Sequence, residues 1–205
     1  MQDYTVARRA MIDSQLRPQG VTDRSVLLAM ASVPRERFVP EAAQASAYFD
    51  RPLRIGADRA MMPPAAIGLL LSELGPRAGE RALVIGAATG YSAAILAEIG
   101  LEVVAVEEDS DLAARAKDAG VPVIGALDTQ DGFDLVLIDG AVEFVPPDLV
   151  ARLVEGGRLG TALVDRGITR LVIGRVAGGH LGLRTICDAP VAPLPGFERP
   201  RAFTF

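Results

Sequence analysis

The stretch Ala82-Leu83-Val84-Ile85-Gly86-Ala87-Ala88-Thr89-Gly90-Tyr91 decides how the rest of the chain is read. A short apolar run enters a turn bounded by two glycines. A helical pattern, Tyr91–Ile99, leaves the turn and stops at Gly100. Strand, glycine turn and helix in that order bring backbone N–H groups to a helix N-terminus, where they can face a ligand. The same order also serves as a plain β–α connection, so the turn alone leaves both readings open.

The next strand, Glu102–Val106, adds weight, because Glu107 follows it 21 residues on from Gly86. A carboxylate there reaches a ribose diol and accepts two hydroxyl hydrogen bonds. An adenosine-containing cofactor is therefore favoured. A dinucleotide fingerprint needs G-x-G-x-x-G to admit a pyrophosphate, and Gly86-Ala87-Ala88-Thr89-Gly90 does not complete it. S-adenosylmethionine has no pyrophosphate and fits the turn better than NAD.

Outward from this unit the pattern continues as α/β. A helix over Ser110–Ala119 stops at Gly120, and short strands follow at Pro122–Ile124 and Phe133–Ile138. A short helix over Pro147–Leu153 is expected to end near Gly156-Gly157. Apolar strands separated by amphipathic helices indicate a parallel sheet covered on both faces. Thr169–Val176 and Leu181–Cys187 flank Ala177-Gly178-Gly179-His180, a hairpin signal that predicts an antiparallel end. A proline-rich crossing over Pro190–Pro200 leads to a last predicted strand, Ala202–Phe205.

Before Gly75 the chain reads as helical. Val6, Ala10, Ile12 and Leu16 recur near helical spacing up to Pro18-Gln19-Gly20. Thr22 is the expected cap of a helix carrying Val26, Leu27 and Met30, and Pro64 suits the first position of a helix through Leu74. The expected organisation is an N-terminal helical and substrate-loop segment, 1–75, joined to a cofactor-binding domain, 76–205, in one compact unit.

Composition narrows the chemistry. The 205 residues are 50% hydrophobic and carry a net charge of −5, which permits a sizeable core and gives no basic footprint for nucleic acid or an anionic membrane. One cysteine (Cys187) and one histidine (His180) exclude a disulfide framework and leave little for a Cys/His metal site, and no metal is expected. Lys117 is the single lysine, and no P-loop surrounds it. The N-terminus lacks an apolar signal core, and the uncharged run Ala60–Ser72 is too short for a membrane span, so a cytoplasmic protein is expected. Cys187 reads as a small buried hydrophobe, and His180 as a hairpin residue.

At this point the residues resemble the protein-L-isoaspartate O-methyltransferases, enzymes that use S-adenosylmethionine. The resemblance covers nearly the whole chain. It rests on Val33-Pro34-Arg35-Glu36-Arg37-Phe38-Val39-Pro40, Ala47-Tyr48-Phe49-Asp50-Arg51-Pro52-Leu53, Val84–Tyr91 and Gly156-Gly157-Arg158-Leu159. It implies a Rossmann-like class I methyltransferase: a mostly parallel seven-stranded sheet, helices on both faces, an antiparallel C-terminal end and an N-terminal helical segment. It also implies a carboxyl O-methyltransferase of the repair type, acting on an isoaspartyl-containing protein or peptide. The cofactor contacts it implies fall on Ile85, Gly86, Ala87, Ala88, Gly90, Tyr91, Glu107, Glu108 and Asp139. On the substrate side it points to Tyr48, Asp50, Arg59, Met61 and Met62.

The chain departs from the family's pattern at the substrate loop, usually G-x-G-Q-T-I-S-Q-P. Here it reads Gly56-Ala57-Asp58-Arg59-Ala60-Met61-Met62-Pro63-Pro64, so the two hydroxyl positions are Ala60 and Met62. Arg59 is then a candidate replacement donor for the acceptor carboxylate, or a solvated side chain. Met61 and Met62 either line an apolar pocket or fill the core. Val84 stands where the family has an acid, Ala88 where it has the middle glycine, and Ala126 where an Asp faces the adenine, with Asp128 two positions late. Asp139 either works near the methyl group or simply forms a turn. These departures keep two alternatives in view: the same fold with another carboxylate acceptor, or a cofactor-binding or scaffold homologue that transfers nothing.

Overall fold

A computed structural model describes residues 3–56, 58–127 and 132–199. The chain opens with helix α1 (Thr5–Met11), which runs on through a π turn and a 3₁₀ turn until Gly20, at φ 89°, stops it. Helix α2 (Arg24–Ser32) is capped by Asp23, whose carboxylate accepts from Ser25 N and Val26 N. The expected cap, Thr22, is displaced by one residue because a carboxylate takes both orphan N–H groups and opposes the helix dipole. Two 3₁₀ turns (Arg35–Phe38 and Glu41–Ser46) lead to a small antiparallel pair, β1 (Leu53–Arg54) and β2 (Ala60–Met61). Helix α3 (Pro64–Leu74) has proline at its first position and Gly75 in the left-handed conformation after its end, as the sequence predicts.

The main sheet contains β3 (Arg81–Ile85), β4 (Glu102–Val106), β5 (Phe133–Val142), β6 (Leu153–Asp165), β7 (Ile168–Ala177) and β8 (His180–Asp188). Helix α4 (Tyr91–Ile99) links β3 to β4, α5 (Ser110–Asp118) follows β4, and the one-turn α6 (Pro147–Val150) follows β5. The order is β4-β3-β5-β6-β7-β8, parallel through β6 and antiparallel beyond it. Alternate residues face opposite layers. Ala82, Val84, Leu135 and Leu137 join one core cluster, which extends from Met11 to Val191, while Leu83, Val136 and Ile138 join the other.

Three expectations change. Among the described residues the sheet has six strands rather than seven, and the predicted strand Pro122–Ile124 reduces to a single parallel bridge, Val106 with Ile124. Residues 202–205 lie outside the described residues. The helix predicted over Pro147–Leu153 is the single turn α6, and Leu153 instead opens β6, a long strand. Gly156, at φ 78°, with Gly157 forms a bulge where Phe133 pairs with Leu153 but Leu135 with Arg158. These glycines end no helix; they admit an irregularity within a strand. Cys187 is exposed, because β8 is an edge strand with most of its side chains outside the core.

The register sets the site. Ile85 lies opposite Val106 on one side and Ile138 on the other. The next residues, Gly86 and Glu107 just beyond β3 and β4 and Asp139 within β5, therefore stand at one level of the sheet. Strand order reverses about β3 here, and open α/β sheets bind ligands outside such a reversal. The segment after β8 crosses this edge. Ala141 N donates to Ala192 O and Leu194 N to Ala141 O, which lays Leu194 over Gly86 and Gly140.

Candidate active site

The turn after β3 is built from left-handed residues. Gly86 has φ 66°, Ala88 φ 54° and Gly90 φ 93°. The first and last are glycines, as this conformation favours. Ala88, in the middle, bears a strain of roughly 1–2 kcal/mol. It is held there by Glu107, whose Oε2 accepts from Ala88 N at 2.6 Å. Thr89 Oγ1 ties the same turn to the N-terminal segment by donating to Phe38 O.

Glu107 is 2% exposed and has two more donors on its other oxygen, Asp109 N at 3.0 Å and Arg59 Nη1 at 2.9 Å. Arg59 also donates to Gly86 O at 2.8 Å. The loop arginine is therefore neither solvated nor aimed at an acceptor: it bridges the glycine turn and the acid at the end of β4. The loop is steadied by Arg115, which donates to Ile55 O, and by Ile55 N donating to Arg59 O. Asp109, next to Glu107 and Glu108, caps α5.

Two spaces flank this bridge. One is an open cleft of about 460 Å³, lined by Ile85, Gly86, Glu107, Glu108, Ala126 and Leu194 among others. The other is a narrow space of about 10 Å³, lined by Arg35, Met61, Met62, Tyr91, Ser92 and Asp139 together with the turn residues Ala87, Ala88 and Thr89. Asp139 Oδ2 accepts from Ser92 Oγ at 2.5 Å. Burial pushes the Asp139 carboxyl above its ordinary value, although Ser92, Arg59 and Arg35 pull the other way.

Arg35 forms the far wall. It is 1% exposed, and it donates through Nε to Ala47 O and through Nη2 to Met62 O. Its guanidinium carbon lies 4.7 Å from the centre of the Tyr91 ring, and Phe38 meets the same ring edge-on at 5.5 Å. The motif Val33–Pro40 thus anchors the N-terminal segment to the start of α4. Burial lowers the arginine's pKa and raises that of Tyr91.

The remaining sequence candidates divide. Met61 and Met62 are buried walls of the small cavity, and Ala60 offers no donor on β2. Tyr48 lies elsewhere: its hydroxyl donates to Glu36 and accepts from Arg8 Nε. Asp50 accepts from Ala65 N, in the first turn of α3, and from Gln19 Nε2. Val84 is fully buried within β3, Ala126 lines the cleft, and Asp128 lies outside the described residues. Arg35, Ser92 and Leu194 were not among the site residues read from the sequence. Val33–Pro40 carries three charged residues, Arg35, Glu36 and Arg37, and nothing local singles out Arg35 as the buried one. Nothing local marks Leu194, whose placement comes from a bridge between Ala141 and Pro193.

The architecture is that of an α/β methyltransferase, and solved structures agree. One titled protein-L-isoaspartate O-methyltransferase superposes with a TM-score of 0.80 at 22% identity, covering 92% of this chain and 66% of the other. A second, titled as a putative protein-L-isoaspartate O-methyltransferase from Plasmodium falciparum in complex with S-adenosyl-L-homocysteine, gives 0.78 at 18% identity over 95% of this chain and 99% of that one. At these identities the likeness establishes the fold. The family follows from sequence: residues 7–120 match the model of protein-L-isoaspartate(D-aspartate) O-methyltransferase, and the chain belongs to that family. A protein-L-isoaspartate O-methyltransferase of Methylorubrum extorquens (strain PA1) is 39% identical over 168 residues, 77% of this chain and 74% of the relative. Another such protein, numbered 2, from Marinobacter nauticus is 35% identical over 211 residues, 96% of each.

Proposed function

We propose that the chain transfers a methyl group from S-adenosylmethionine to the carboxylate of an isoaspartyl residue in a protein or peptide. The observation that carries this reading is the convergence of Gly86, Glu107 and Asp139 at one level of the sheet, with Gly86 and Glu107 lining an open cleft. The site fits the cofactor. A carboxylate has about four acceptor positions, and Glu107 commits three, one of them to the side chain of Arg59. That contact can be exchanged, and its departure leaves two positions for a ribose diol. Ile85, Glu108 and Ala126 then border the adenosine along the cleft, with Gly86, Ala87, Ala88, Gly90 and Tyr91 supplying the turn.

When bound, the cofactor presents a methyl group on a sulfonium, and attack by a carboxylate oxygen forms the C–O bond as the C–S bond breaks. An isoaspartyl carboxylate is already ionised at pH 7, so no base is needed from the protein. The chain's own part is to position the reactants and exclude water, which Met61, Met62 and the loop around Arg59 are placed to do. A cytoplasmic location suits the acidic composition and single cysteine. Among the described residues no helix is long and apolar enough to cross a membrane.

A second reading, a changed acceptor, is favoured by the loop itself: Ala60 and Met62 carry no hydroxyl, and Arg59 is turned to Glu107. Calorimetric titration with S-adenosylhomocysteine, with NAD as control, comes first, followed by methyl incorporation into an isoaspartyl peptide and its aspartyl isomer. Binding with selective methylation of the isoaspartyl peptide is the expected result. Binding without turnover of that peptide would move the acceptor to another carboxylate. No binding of S-adenosylhomocysteine would refute the methyltransferase reading and leave a scaffold. Met62→Ser restores one hydroxyl and is expected to raise isoaspartyl turnover if the acceptor site is otherwise intact.

A further inference from the structure

Four arginines border a second cleft, of about 620 Å³, between the end of α3 and strands β6 to β8. It lies at the amino end of the sheet. Arg158 stands beside Leu135 and Leu135 beside Ala82, near the starts of β5 and β3, whereas Asp139 stands toward the other end. The pairing puts three of the arginines on one face. Arg158 lies opposite Arg175, and Ile173, two residues before Arg175, lies opposite Arg184. This is the face that meets α3, since Arg158 Nε donates to Leu74 O. The fourth, Arg77, comes just after α3 and lines the same space.

Glutamates answer only two of these cations. Glu80 holds Arg158 at 2.6 Å, and Glu73 pairs with Arg184. Arg77 and Arg175 are exposed and make no side-chain hydrogen bond or ion pair among the described residues. Arg175 also places a like charge directly opposite Arg158, an arrangement unfavourable in a sheet. The local excess of cations runs against a chain whose net charge is −5. The floor beside Arg175 is open: where a Cβ would stand on Gly182, the one atom near it is Arg175 O, at 4.0 Å.

We propose that this cleft binds a small oligophosphate, a chain of two or more linked phosphoryl groups. A guanidinium fork takes phosphoryl oxygens two at a time. Arg77 and Arg175 have no N–H committed, and Arg184 keeps donors beyond the one on Glu73. Three such forks around one space call for several negative charges on one molecule. The lining holds no aromatic ring among the described residues, so it offers no platform for a base, and the phosphates themselves are what it recognises. The inference does not rest on the methyltransferase reading.

Calorimetric titration of the full chain with inorganic triphosphate at low ionic strength tests it, with orthophosphate and citrate for comparison. Triphosphate is expected to bind at least about tenfold more tightly than either. Arg175→Gln, at an exposed position without partners, is expected to weaken triphosphate about tenfold. Lys117→Gln removes one charge from α5, which follows β4 at the opposite edge of the sheet, and should leave that affinity unchanged within about twofold. Melting curves add a readout that a purely structural arginine would not give. Arg175→Gln relieves the opposition to Arg158, so its melting temperature without triphosphate should hold or rise, while the gain on adding triphosphate shrinks. Orthophosphate or citrate binding as tightly as triphosphate would overturn the oligophosphate assignment, and equal weakening by Lys117→Gln would reduce the site to diffuse attraction. Absence of triphosphate binding, or an unchanged affinity in Arg175→Gln, overturns the proposal outright.

Discussion

Replacing Arg59 by alanine separates the two things Glu107 does. Arg59 donates to Glu107 at 2.9 Å and to Gly86 O at 2.8 Å, with only 11% of its side chain exposed and 1% of the Glu107 side chain. A hydrogen bond to a charged group contributes about 1.5–3 kcal/mol, and truncating one partner of a buried pair costs about 3–5 kcal/mol because the other charge is stranded. The variant should therefore melt at a lower temperature when unliganded. A ribose diol that bonds to Glu107 must first displace Arg59, and in the variant nothing is displaced. Recovering even the lower figure, about 1.5 kcal/mol, makes S-adenosylhomocysteine bind about tenfold more tightly. By linkage, a saturating dose of that ligand should raise the melting temperature further in Arg59→Ala than in the wild type. Calorimetric Kd values and paired melting curves read both effects. A variant that loses stability but binds the ligand equally or more weakly would show that Arg59 stays on Glu107 in the complex, and the exchange would be refuted.

Other perturbations test neighbouring parts of the structure. Burial raises the Asp139 carboxyl above its ordinary value of 3.8, so the native chain holds that proton to higher pH than the unfolded one and loses stability as pH rises through the interval between the two. Asp139→Asn removes this loss, and its melting temperature should gain on the wild type's across that interval; parallel curves would contradict the shift. Tyr48→Phe breaks the hydroxyl's contacts with Glu36 and Arg8 and should cost about 1–3 kcal/mol in urea unfolding while leaving the affinity for S-adenosylhomocysteine unchanged. A changed affinity would bring Tyr48 back into the cleft. At Gly140 an added Cβ would stand 2.8 Å from Leu194 Cβ, so Gly140→Ala must push the C-terminal crossing away. A loss of about 1–3 kcal/mol is expected, together with faster hydrogen exchange at the Leu194 amide, which otherwise donates to Ala141 O. Unchanged exchange there would mean that the crossing does not depend on this contact.

What was legible in the sequence was what neighbouring residues decide among themselves. Pro64 and Gly75 bound α3, Gly100 stops α4, and the glycine turn with Glu107 gave the level of the site, because dihedral preference and capping act within a few residues. The same local logic failed at Gly156-Gly157, where a glycine pair suited to ending a helix is used as a bulge in β6, since pairing with β5 outweighs local preference. It also placed Cys187 in the core, because a strand's own pattern does not reveal that the strand lies at an edge.

The contents of the site were decided only in three dimensions. Arg59 meets Glu107 across 48 positions, and Thr89 meets Phe38 across 51. Leu194 reaches Gly86 because a bridge fixes Pro193 beside Ala141. The sequence by itself determined the fold, the turn and the acid at the end of β4. Which side chains fill the space around them was settled by the sheet register and by the burial of Arg35, because a charge taken out of water must find its partners wherever the chain brings them.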